Sequence, residues 1–164
     1  MHDFLSLSPV ELAHHLNQLR SGLDEALDIR MLSVGPERVV AEMHAGAQHL
    51  QPYGLVHGGT YCAFAESVCS AGANMVTLQR GEFAVGIENR TRFVAAARAG
   101  AVLRVVAEPR RVEGRNHTWA AEIRDGERLC AEGEVVVRAI AAERAVGGEA
   151  LSFKVLEPAE TKQG

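Results

Sequence analysis

The chain has 164 residues, 47% hydrophobic and 5% aromatic, with a formal net charge of -4 and a pI near 6.0. That length and apolar share fit one domain with a true core, built mainly from Ala, Val, Leu and small residues because aromatics are scarce. No basic stripe or aromatic-plus-basic platform is present, which argues against a nucleic-acid partner.

Ser8-Pro9-Val10-Glu11 is a capping box with proline at the first helical position. Leu12, Leu16, Leu19 and Leu23 follow at three-to-four spacing and predict one amphipathic helix of about four turns ending near Gly22. Residues 29–34 and 38–44 read as strands joined by Gly35-Pro36-Glu37, a turn signal. The loop 45–56 leads to a central helix near 58–78 that stops around Arg80-Gly81. Between Gly58 and Gln79 the one formally charged side chain is Glu66, in a stretch otherwise small and apolar. Such a carboxylate is desolvated in part, which costs free energy unless donors or function compensate. This span has the length of a membrane crossing, but Glu66, Asn74 and the small polar residues make it a buried helix of a soluble protein.

Everything beyond reads as sheet. Val85, Ile87, Asn89, Thr91 and Phe93 alternate with Gly86, Glu88, Arg90 and Arg92, giving one charged face and one inward face that includes Asn89. Turns at Ala99-Gly100, Glu113-Gly114-Arg115-Asn116 and Asp125-Gly126 separate strands over 102–108, 117–124 and 128–138. The last twenty or so residues, with Gly147-Gly148 and a polar end, form a loosely attached tail. Helix, two strands, long helix and four meandering antiparallel strands predict an α+β fold: an antiparallel sheet wrapped around a central helix, with an extra N-terminal helix. The domain reading is 1–24 N-terminal helix, 25–141 main domain and 142–164 tail. A single such layer leaves surfaces needing cover, and dimerisation supplies it.

Cys62, Cys69 and Cys130 are an odd number without a C-x-x-C pair, which suits a reducing, cytoplasmic compartment. The start Met1-His2-Asp3 lacks a basic segment followed by an apolar run, so no signal peptide is expected. The seven histidines show no metal spacing, and no phosphate loop, dinucleotide fingerprint or nucleophile elbow is present. The expectation is no metal and no cofactor.

The chemistry concentrates at Gln51-Pro52-Tyr53-Gly54-Leu55-Val56-His57-Gly58-Gly59 and the helix after it. A helix start offers free N–H groups and the positive end of the dipole, which stabilise developing negative charge. Glu66 and Ser70, four apart, project from one helical face. A lone acid inside an apolar helix, near free amide donors, is the layout of a site that attacks a carbonyl.

With Gln51, His57-Gly58-Gly59, Glu66 and Ser70 at these spacings, residues 25–140 resemble the hotdog-fold acyl-CoA thioesterases. Within them the chain looks closest to the group of the phenylacetate-pathway, enterobactin-proofreading and Arthrobacter-type 4-hydroxybenzoyl-CoA thioesterases. The resemblance implies Glu66 as nucleophile or general base and Gly58 as backbone donor to the thioester oxygen, with Gly59 beside it. It implies that Gln51 orients the carbonyl or water, His57 supports the loop, and Ser70 positions the water or acid. Asn89 would tie down the glycine-rich loop. Gly114, Arg115 and Asn116 match the turn that holds the CoA phosphates, with Arg90 or Arg92 as further contacts. The implied substrate is an aromatic or short-to-medium acyl-CoA, cut to free acid and CoA at a dimer interface. The implied assembly is a homodimer at least, a homotetramer as a dimer of dimers. A non-catalytic acyl-CoA-binding dimer and a hotdog hydratase or dehydratase are the alternatives.

Overall fold

A computed structural model describes residues 6–146 and 149–150. Ser8 caps helix α1 (Pro9–Gln18) as expected: its hydroxyl accepts from the Glu11 N–H, and Glu11 accepts from the Ser8 N–H at 2.9 Å. The helix is shorter than the leucine spacing predicts. It ends at Leu19, and a separate α2 (Gly22–Ala26) follows. Gly22 sits at φ +61°, a left-handed conformation that a continuing helix does not contain, and Leu23 is left 60% exposed. The break lets α1 lie along one edge of the sheet.

Strands β1 (Arg30–Val34), β2 (Val39–His44), β3 (Glu82–Phe93), β4 (Val102–Glu113), β5 (Asn116–Asp125) and β6 (Arg128–Ala141) form a six-stranded sheet of order β1-β2-β4-β5-β6-β3. All neighbouring pairs are antiparallel. The expected four-strand meander therefore holds only for β4-β5-β6. Residues 94–101 carry the chain across, so β3 pairs with β6 at the far edge and β4 pairs with β2. The Val94 and Ala95 N–H groups, both bonded to the Cys130 carbonyl, fasten the start of that crossing. A small hairpin, β7 (Ala145–Val146) with β8 (Glu149–Ala150), follows. The rest of the expected tail lies outside the described residues.

Helix α3 (Gly58–Thr77) fills the concave face of the sheet. Phe64, Ala65, Val68, Cys69 and Ala73 are fully buried in one cluster with Val105, Trp119, Val135 and Val137. Close approach depends on small residues, as a side chain at Gly72 would overlap the Trp119 ring. No helix among the described residues is long and apolar enough to cross a membrane.

The two sheet edges differ. On β1, the Asn17 side chain donates to the Met31 carbonyl (2.7 Å) and accepts from the Met31 N–H (2.9 Å), as a neighbouring strand would. Arg20 bonds the Ile29 carbonyl (3.0 Å) and pairs with Asp28 (2.9 Å). On β3, no strand among the described residues covers the outer edge.

His117 on β5 is buried, and burial first, then the charge of Arg80, holds its pKa below the ordinary histidine value. The fold thus favours the neutral ring, while the unfolded chain takes up a proton near pH 6.5. Stability linked to this group is present above that pH and declines as pH falls through it. The urea midpoint of wild type should drop more between pH 7.5 and 5.5 than that of His117→Gln; equal drops would contradict the assignment.

Candidate functional site

The loop before α3 is held by a buried histidine. His49 accepts from the Gly46 N–H at Nδ1 (2.8 Å), and its Nε2 lies 2.8 Å from the Leu27 carbonyl. With Nδ1 accepting, the ring proton sits on Nε2 and donates to Leu27. The His49 carbonyl in turn accepts from the His57 N–H (2.8 Å) and the Thr60 hydroxyl (3.2 Å). The ring thereby joins the end of α2 to the loop, and the carbonyl of the same residue joins the loop to the first turn of α3. Nothing in its sequence neighbourhood signals this burial.

His57 is the N-cap of α3, and its Nδ1 accepts from the Gly59 N–H at 2.8 Å. The Gly59 amide is therefore occupied. The Gly58 N–H, at the first helical position, has no acceptor among the described residues. The two glycines of the motif are thus separated by their bonding: Gly58 is the free donor.

Gly58 lines a groove of about 470 Å³ with Gln51, His57, Tyr61, Phe93 and Val94. The Gln51 backbone closes a turn with Gly54 and Leu55, which places this residue at the groove. Phe93 lies against Gly58, where a Cβ would come within 2.7 Å of the ring, and it meets Tyr61 with ring centroids 6.0 Å apart. Burial pushes the Tyr61 phenol up to about 12, so it stays protonated and serves as wall. Replacing Gly58 by proline would displace Phe93 as well as delete an amide.

Glu66 is half-buried on the face of α3 toward β3. Its Oε2 accepts from Asn89 Nδ2 at 3.1 Å, and its Oε1 lies 3.5 Å from the Ser70 hydroxyl, at the outer limit of a hydrogen bond. Asn89 also donates to the Cys62 carbonyl (3.0 Å) and accepts from the Thr91 hydroxyl (2.7 Å). Asn89 therefore ties the acid and the helix to β3, not the glycine-rich loop that was expected. The carboxylate occupies space that β3 vacates, because a Cβ at Gly86 would overlap Oε1.

The strict alternation expected for β3 is broken there. A bulge between Gly86 and Glu88 shifts the register against β6 and leaves Ile87 half exposed. Gly86 faces the helix before the bulge, and Asn89 and Thr91 face it after.

Arg90 pairs with Glu88 (2.9 Å) and Glu134 (3.6 Å), and Arg92 donates to Glu132 (2.9 Å). Both are exposed side chains engaged on the outer face of the sheet. Gly114 and Arg115 form the β4–β5 turn, where the Arg115 side chain is exposed and Asn116 accepts from Arg138 (2.9 Å). Arg138 is also the register partner of Val85 near the start of β3, whereas Phe93 at the end of β3 touches Gly58. Within one chain this turn and the groove lie at opposite ends of α3.

Cys69 is no nucleophile: burial, reinforced by the Glu66 charge, pushes its thiol up to about 12. No group of three or more His, Cys, Asp or Glu that would hold a metal occurs among the described residues.

The model of the thioesterase superfamily matches residues 53–132, from the groove loop into β6. A 1,4-dihydroxy-2-naphthoyl-CoA hydrolase of Escherichia coli K12 is 36% identical over 105 residues, covering 63% of this chain and 76% of the relative. The chain belongs to the thioesterase superfamily. A Listeria monocytogenes hydrolase of the same name is 29% identical over 63% of this chain and 83% of its own. Among solved structures, a Haemophilus influenzae thioesterase superposes with TM-score 0.73 at 25% identity, over 79% of this chain and 90% of that one. Rv1847 of Mycobacterium tuberculosis superposes at TM-score 0.69 with 32% identity, over 73% and 96%. The fold is the hotdog fold of this superfamily, and the protein is a thioester hydrolase of it.

Gly86→Ala tests the pocket for the acid in this thioesterase. The added methyl forces the Glu66 carboxylate aside while β3–β6 pairing is kept. Thioester turnover should fall about 10²-fold with circular dichroism and urea midpoint near wild type; full turnover would show that the carboxylate position is immaterial.

Proposed function

We propose that the protein hydrolyses an aromatic acyl-CoA at a site completed by two copies of the chain. The thioester carbonyl lies at the Gly58 amide of one copy, and Glu66 of the other delivers the attack. The carrying observation is a distance. Gly58 and Glu66 stand eight residues apart on one helix, about 12 Å along its axis at 1.5 Å per residue. A single carbonyl group does not bridge that gap, so the free donor and the acid of one chain do not serve the same reaction.

The open edge of β3 supports the second copy. Edge pairing of β3 with itself across a two-fold axis runs the two α3 helices antiparallel. That carries Gly58 of each copy toward Glu66 of the other. It also brings the Arg115 turn of one copy to the groove end of its neighbour, where CoA phosphates need a cation. Ile87, Phe93 and Val94, each about half exposed at this edge and just past it, gain cover in such a pair.

In the reaction, the Glu66 carboxylate removes a proton from water as its oxygen attacks the carbonyl carbon. The alternative is attack by the carboxylate itself, giving an anhydride that water then opens. Either way the carbonyl oxygen gains negative charge facing the Gly58 N–H and the positive end of the helix. Collapse breaks the C–S bond and releases CoA as a thiolate, a good leaving group because thiols ionise near pH 8.5. Aromatic acyl groups are favoured by the Tyr61 and Phe93 walls of the groove and by the naphthoyl-CoA hydrolases among the relatives.

A free-thiol assay on a panel of aryl- and alkyl-CoA esters tests this reading. Wild type should release CoA fastest from aryl esters, and Glu66→Gln should lose at least about 10²-fold in kcat. Equal rates for the two proteins would remove Glu66 from the chemistry, and a preference for alkyl esters would remove the acyl assignment.

A further inference from the structure

We infer that Asn89 and Thr91 are positioning residues that aim the Glu66 carboxylate, acting as a relay from the edge strand to the acid. The inference rests on the proposed role of Glu66. Every hydrogen-bonding position of the Asn89 amide that faces the protein is committed. Its nitrogen donates to Glu66 Oε2 (3.1 Å) and to the Cys62 carbonyl (3.0 Å), and its oxygen accepts from the Thr91 hydroxyl (2.7 Å). A flipped amide would set its oxygen against a carboxylate and a carbonyl at once, both acceptors. The Thr91 hydroxyl, a donor to that oxygen, locks the productive orientation.

The backbone around the relay is shaped to hold it. The bulge after Gly86 turns Asn89 and Thr91 toward the helix. Gly133 on β6 leaves room for the hydroxyl, since a Cβ there would sit 3.0 Å from Thr91 Oγ1. Gly86 leaves room for the acid itself. With Oε2 held by Asn89, the carboxylate keeps one orientation on a helix where its one other close side-chain hydrogen-bond contact among the described residues is Ser70 at 3.5 Å. A carboxylate fixed in this way loses little freedom when substrate arrives, which lowers the barrier by pre-organisation.

A merely structural role, tying β3 to α3 through the Cys62 carbonyl, would show in stability and not in the catalytic step. Thr91→Val removes the hydroxyl and keeps the shape, leaving Asn89 able to turn. With the best aryl-CoA found in the thiol assay, kcat should fall on the order of 10-fold, with KM within about two-fold and an unchanged urea midpoint. Thr91→Ser should restore most of the lost kcat. Wild-type kcat in a folded Thr91→Val protein, or no recovery with serine, overturns the relay. If Thr91→Val does not fold, Asn89→Ala answers instead: a kcat loss of at least about 10-fold at constant KM supports the relay, and an unaltered kcat refutes it. Glu66→Gln run alongside separates the two ideas, because full activity there defeats the acid assignment and not the relay geometry alone.

Discussion

A carboxylate on the face of a buried helix is costly unless the opposing surface makes room and supplies donors, and in this protein the edge strand does both. Gly86 offers no side chain where Oε1 lies, and Asn89 donates to Oε2. The bulge between them lets residues an odd number apart both face the helix. If β3 were a regular strand with a side chain at 86, the acid would have to leave the helix–sheet interface. The packing of α3 on the sheet and the placement of the Glu66 carboxylate are thus consequences of one local irregularity.

The other end of α3 has a complementary design. His49 and His57 together spend the loop's polar groups: one ring bridges α2 and the loop, the other caps Gly59. The Gly58 amide has no acceptor among the described residues and lies beside a groove walled by Tyr61 and Phe93. Sheet edges follow the same logic of spending and leaving over. Asn17 satisfies the edge at Met31, while β3 keeps its outer edge open to a second copy on the proposed reading. The N-terminal helix, whose register breaks at Gly22, thereby has a structural task at the edge opposite the candidate site.

Much of this was legible in the residues themselves. The capping box at Ser8, the turn glycines at 100, 114 and 126, and the helix beginning at Gly58 follow from local chemistry, and the structure has each of them. The isolation of Glu66 in a small-residue helix singles it out because charge in such company needs a partner, and the structure supplies one in Asn89. Other features depend on partners distant in sequence. A bulge is a relation between two strands, so the alternation of 85–93 gave no hint that its phase changes at Ile87. The placement of β3 beside β6 depends on a crossing connection of mixed composition, and meandering neighbours are the natural default. The period of two puts Asn89 on the helix side of β3, but which groups lie opposite, Cys62 and Glu66 and not the glycine-rich loop, depends on how β3 packs on α3. His49 carried no local signal, since its bonds run to backbone groups at 27, 46 and 57 and to the Thr60 hydroxyl.

The most direct test of the central claim is complementation between two defective chains. Gly58→Pro spoils the donor end of the site and Glu66→Gln the acid end, and each protein alone should hydrolyse aryl-CoA poorly. Co-expressed, half of randomly formed pairs are mixed, and each mixed pair has one site with both wild-type groups. The account predicts that activity returns to about a quarter of wild type. A mixture no more active than its separate components would contradict a site shared between two chains.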